Sequence, residues 1–131
     1  MWLGKEAARR NFVERDAKMG TVTISGQSAA VQAGKEMRGL AVVAPGGYVW
    51  MPGAEQDVLT VHCDTGETVI AGAAMGESPV SLRPGEVCIC SKGGAFVLLG
   101  NDGHILITGD VAVTGSLTVN GLPVRTGVLE G

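Results

Sequence analysis

Five glycines stand six residues apart: Gly103, Gly109, Gly115, Gly121 and Gly127. Between the first four, apolar residues take the odd positions: Ile105 and Ile107, Val111 and Val113, Leu117 and Val119. The even positions hold small or polar residues, among them Thr108, Ala112, Thr114, Ser116, Thr118 and Asn120. Strict alternation of this kind marks a strand with one apolar face. Six is an even number, so each hexad presents the same face as the one before. A hexad of strand spans roughly 20 Å, and the glycine after it lets the backbone bend.

Such a ribbon has no interior of its own. Stacked-repeat folds need at least ~3 repeats to bury a continuous core, and the clear repeat here ends after about one coil of a triangular helix. Burying each of the six apolar side chains is worth ~1.5–3 kcal/mol, which an isolated ribbon does not collect. The simplest identical partner is another copy of the chain. Three copies wound about a threefold axis would bury the apolar faces and leave no open strand edges. The sequence therefore predicts a trimeric intertwined β-helix. Its core would comprise Val87, Ile89, Val97, Leu99, Ile105, Ile107, Val111, Val113, Leu117 and Val119, with strand turns at Gly103, Gly109, Gly115 and Gly121. The alternative is an ordinary antiparallel meander on a local core. Against it, only Asn101-Asp102-Gly103 is read as a hairpin turn, and it precedes the repeat.

The remainder of the chain is also β-like. Twenty-one glycines and only five aromatic residues among 131 fit short strands and tight turns. Residues 1–18 read as a short helix or arm, with Trp2, Phe12 and Val13 forming a rough apolar stripe. Residues 19–80 read as a small barrel of the oligonucleotide/oligosaccharide-binding (OB) type. Its expected strands are Met19–Ser25, Ala29–Ala33, Leu40–Ala44, Tyr48–Met51, Asp57–Cys63 and Thr68–Ala71. Residues 81–131 read as the needle, with strands at Gly85–Lys92 and Ala95–Leu99 ahead of the hexads. Leu122–Gly131 loses the alternation and is expected to be a cap or frayed end.

Composition narrows the function. A net charge of −3 with no basic stripe argues against nucleic acid as partner. No apolar run approaches a membrane span, and the first residues lack the apolar segment of a secretory signal. The three cysteines, Cys63, Cys88 and Cys90, do not make a disulfide scaffold. His62, Cys63 and Asp64 are consecutive, but neighbouring strand residues point to opposite faces and cannot converge as a catalytic set. Cys88 and Cys90 share a strand face and could gather thiols about a trimer axis; small apolar filler is the simpler role. Tyr48 and Trp50, two apart in an expected strand, could stack a base or sugar, or simply pack. His104 is expected on the outer surface. No catalytic residue, metal ligand or cofactor site is expected.

The order of parts, a small barrel, a proline-containing joint and glycine-punctuated alternating strands, resembles the central-spike proteins of contractile phage-tail baseplates. These form the baseplate assembly protein V and Mu-type spike family. The residues that carry the likeness are GYVWMPGAEQDVLTV from Gly47, RPGEV from Arg83, GNDG from Gly100 and GSLTVNG from Gly115. The likeness spans roughly residues 36–121. It implies an OB barrel followed by a trimeric β-helix needle under the tail tube, which pierces the bacterial envelope when the sheath contracts. It also implies a homotrimer in a virion or injection-particle baseplate, assembled in the bacterial cytoplasm. The partners implied are hub or tail-tube proteins, reached through the arm and barrel, and in some particles a separate tip protein. Some relatives carry an iron-binding His-x-His pair near the tip. Here the only histidines are His62 and His104, so the metal does not carry over. Two other readings remain: a trimeric hexapeptide-type acyltransferase, disfavoured by the few hexads and the absence of a suitably placed histidine, and a carbohydrate-binding OB module with an oligomerising tail.

Overall fold

The structure is a computed structural model and describes residues 16–125. Every regular element among these residues is a β-strand. Most of the expected N-terminal arm, and the end of the expected cap, lie outside the described residues. The chain divides into two units between Gly76 and Glu77.

The first unit is a closed five-stranded barrel. Its strands are β1 (Ala17–Ile24), β2 (Ala29–Ala33), β3 (Lys35–Val42), β4 (Asp57–His62) and β5 (Thr68–Ala73). Around the barrel they run in the order β1-β2-β3-β5-β4, and β4 returns to β1. All pairings are antiparallel except β3 with β5. Alternation places Val22, Val31, Leu40, Val58 and Ile70 inside, with Ala29. These are compact aliphatic side chains, suited to the narrow interior of a small barrel. Thr60, the buried polar residue, donates its hydroxyl to the Lys18 carbonyl at 3.0 Å. Gly20 on β1 lies against β2 with no room for a side chain. A Cβ there would stand 2.5 Å from Val31 Cγ1 and 2.8 Å from the Gln32 carbonyl oxygen, so only glycine fits without movement.

Three expectations for this unit change. Strand β1 begins at Ala17, inside the span read as the arm. Strand β3 begins at Lys35 rather than Leu40, because Lys35, Glu36 and Met37 pair with β2 across Gly34. The polar Lys-Glu opening hides that strand from a hydrophobicity reading. Tyr48–Met51 is not a strand: it belongs to a long connection from β3 to β4. The second part of that connection is tied to β1 instead, by Val22 N–H donating to Gln56 O at 2.9 Å and Glu55 N–H to Val22 O at 2.8 Å. These bonds continue the β4 side of β1 beyond the Thr21–Asp57 pair, and β1 is already paired on both sides.

The second unit holds an antiparallel sheet of β6 (Val87–Cys90), β7 (Phe96–Leu99) and β8 (Ile105–Thr108), in that order. A separate two-stranded ladder joins β9 (Thr118–Val119) to β10 (Leu122–Pro123). The first hexad therefore pairs within one chain, as the alternative meander would, but with no buried local core beneath it among the described residues. The second hexad is in no ladder. It finds no partner strand among the described residues, and alternation alone does not pair backbone. Leu122 and Pro123, expected in a cap, turn back onto Val119 and Thr118 through Asn120-Gly121. Both turn residues have positive φ, 50° and 81°, as a two-residue turn of the mirror-image type I class requires. Asn-Gly is itself a two-residue hairpin signal, so the hairpin turn expected only at Asn101-Asp102-Gly103 has a second counterpart inside the repeat.

Candidate functional site

The register of the second unit sorts its side chains into two faces. Val87 lies opposite Leu99, and Leu99 opposite Ile105; Ile89 lies opposite Val97, and Val97 opposite Ile107. Directly opposed residues in an antiparallel pair share a face. Six of the ten residues expected to form a trimer core thus make one continuous aliphatic face, two rows of three. The other face carries Cys88, Leu98 and Leu106 in one row, then Cys90, Phe96 and Thr108.

Neither face is covered as a core is. No described residue from 77 to 125 is buried, whereas the barrel has a closed interior. On the Cys88 face, Cys88, Phe96 and Leu98 are half-buried. The local desolvation, with Cys90 beside it, pushes the Cys88 thiol above its ordinary value. On the aliphatic face only Val97 is half-buried; the other five side chains are exposed, Ile105 to 65% and Ile107 to 57%. The remaining four expected core residues, Val111, Val113, Leu117 and Val119, are exposed as well. Val111 lines a groove with Ile89, Val97 and Ile107 of the sheet; Val113, Leu117 and Val119 do not line it.

The expected turn glycines all adopt positive φ: Gly103 86°, Gly109 130°, Gly115 122° and Gly121 81°. Gly103 closes the β7–β8 hairpin, donating to Gly100 O at 3.1 Å. Gly109 ends β8, where an added Cβ would meet Ala95 Cβ at 3.3 Å.

Two turns at one end of the sheet are clamped together, and they are the RPGEV and GNDG segments. Glu86 Oε1 accepts the Arg83 N–H at 2.9 Å, and Oε2 accepts the Asn101 N–H at 3.0 Å. Asn101 Nδ2 in return donates to the Pro84 carbonyl at 2.9 Å. The Arg83 and Asn101 amides hold the Glu86 carboxyl below the ordinary glutamate value. Beside it, Asp102 Oδ2 lies 2.8 Å from His104 Nδ1, and Oδ1 accepts the His104 N–H at 3.0 Å. The His104 side chain, then its amide, lower the Asp102 carboxyl. Sequence reasoning placed His104 on a surface and Asp102 in a turn. It missed the Glu86–Asn101 clamp, because fifteen residues separate the two and only the β6-β7 hairpin brings them together.

In the barrel, His62 Nδ1 is 3.0 Å from Thr68 Oγ1 across the β4–β5 pair. Cys63 closes a turn, its amide donating to Glu67 O at 2.7 Å. Among the described residues no three His, Cys, Asp or Glu side chains gather as a metal site. No helix among them is long and apolar enough to cross a membrane. No family model matches this chain, and no curated protein matches it.

Proposed function

We propose that this chain is the central spike of a contractile-tail baseplate, working as a homotrimer. The observation that carries the reading is the uncovered aliphatic face of Val87, Ile89, Val97, Leu99, Ile105 and Ile107, continued in sequence by the glycine-spaced hexads. Three such faces turned to a common axis would give the second unit the interior it lacks alone. The unpaired second hexad would then find strand partners in its sister chains, and the β-helix needle would close. The strand order and the parallel β3–β5 pair fit the OB barrel that precedes the needle in such spikes.

The function follows mechanically. A rod in which each chain pairs and packs with two others must break many contacts together before one chain leaves. That cooperativity gives axial stiffness and slow unfolding, as puncture of a bacterial envelope on sheath contraction demands. The barrel and residues 1–18 would seat the trimer on hub or tail-tube proteins, and a separate tip protein could cap the needle. The proposed location is the baseplate of a phage, prophage or phage-tail-like particle, after assembly in the bacterial cytoplasm. The role needs no reaction or cofactor.

Sedimentation of the purified chain should report a trimer that resists dissociation in SDS. Removing residues 104–131 should weaken or abolish it. A monomer, or a truncated chain that trimerises equally well, would remove the basis of the proposal. Antibody against the chain should label the baseplate end of particles from the producing cell; labelling elsewhere refutes the location.

A further inference from the structure

The barrel carries a second feature that assembly of the needle leaves unexplained. The turn between β1 and β2 and the connection after β3 enclose a groove of about 490 Å³. Tyr48 and Trp50 line it, with Gln27, Val42, Gly46 and Gly47. Three aromatic residues occur among the described positions, and two of them are here. Trp50 packs partly against the barrel core, which fixes its ring. Tyr48 is 61% exposed, on a turn closed by its own N–H donating to Pro45 O at 3.0 Å. Among the described residues, nothing hydrogen-bonds the Tyr48 hydroxyl, the Trp50 indole N–H or the Gln27 amide. No charged side chain lines the groove.

We propose that this groove binds a neutral saccharide. Each property matches that class of ligand. A pyranose ring has an apolar C–H face, which an amphipathic aromatic ring covers while its polar edge stays wet. The hydroxyl groups around the sugar need donors and acceptors at the groove edge, and Gln27, the Trp50 N–H and the exposed Gly46-Gly47 backbone supply them. The volume lies within the range of small-molecule sites, about 300–1,000 Å³. The uncharged lining disfavours phosphate, nucleotide or carboxylate ligands, which require a cation or an oriented donor cluster. The site is built from the β1–β2 turn, the end of β3 and the β3–β4 connection, on the barrel alone. It therefore stands or falls independently of the spike reading.

Saturation-transfer NMR on the full-length protein with chitotriose and maltotriose tests it. Transfer to one or both sugars is expected at millimolar concentration, with the ring C–H protons receiving most. Tyr48→Ala and Gln27→Ala change exposed side chains, so the melting temperature should hold. Tyr48→Ala should weaken binding about five- to tenfold, the loss of one stacking platform. Absence of transfer from both sugars up to about 10 mM would overturn the proposal. So would unchanged affinity in the folded Tyr48→Ala protein.

Discussion

Replacing Ile107 with aspartate separates a lone sheet from an assembled one. In the single chain Ile107 is 57% exposed, in a row with Ile89 and Val97. If nothing covers that row, Ile107→Asp is a surface change, expected to shift stability by no more than about 0.5 kcal/mol. If sister chains cover it, the outcome is different in kind. The exposed remainder of an isoleucine is roughly 100 Å², so covering it is worth about 2.5 kcal/mol per chain at about 25 cal/mol per Å². Three chains lose about 7 kcal/mol, some five decades in the association constant. Three carboxylates brought to a dry axis add desolvation and mutual repulsion. Thr108→Asp, one residue along on the opposite face, is the matched control and should leave the trimer intact. Sedimentation velocity across micromolar concentrations reads the association, and circular dichroism confirms that the barrel stays folded. An Ile107→Asp protein that sediments and melts like the parent would refute the reasoning, as would equal damage from both substitutions.

Three further outcomes are expected. Gly20→Ala forces a Cβ against Val31 and the Gln32 carbonyl; overpacking of about 1–3 kcal/mol should lower the barrel's melting temperature by at least about 4 °C, and an unchanged melt would contradict the close approach of β1 and β2. Gly121→Val places a β-branched residue at φ 81°, at a cost of about 1–2 kcal/mol; the cross-strand NMR contacts between β9 and β10 should vanish, and their persistence would count against the turn. Glu86 titrates below the ordinary glutamate value, so its clamp contributes fully above the unfolded glutamate's pKa and is lost as pH falls through the folded one. The Asn101 amide shift should follow that acid transition, and Glu86→Gln should abolish it; a transition that survives the substitution belongs to another carboxyl.

The all-β character and most strand positions were legible because they rest on local chemistry. Asp57–His62 announces itself as an apolar run and Ala29–Ala33 as a short return segment, each bounded by turns. The six-residue glycine spacing likewise shows which side chains can share a face, since period-2 geometry is a property of any extended strand. Positive φ at Gly103, Gly109, Gly115 and Gly121 follows from the same local logic. Tyr48 and Trp50 mark the opposite case. Their alternation reads as a strand, yet they pair with no strand among the described residues and lie on a connection lining a groove.

Tertiary structure decided what pairs with what. Ladder partners are chosen across long sequence separations, by competition for edges that no local pattern records. That is why β3 begins at a polar Lys-Glu pair, why β3 and β5 run parallel, and why Glu86 meets Asn101. It is also why the hexads part company: Ile105–Thr108 finds β7 within its own chain, whereas Val111 and Val113 find no strand among the described residues. Side-chain alternation is written residue by residue, but burial exists only once a second surface arrives.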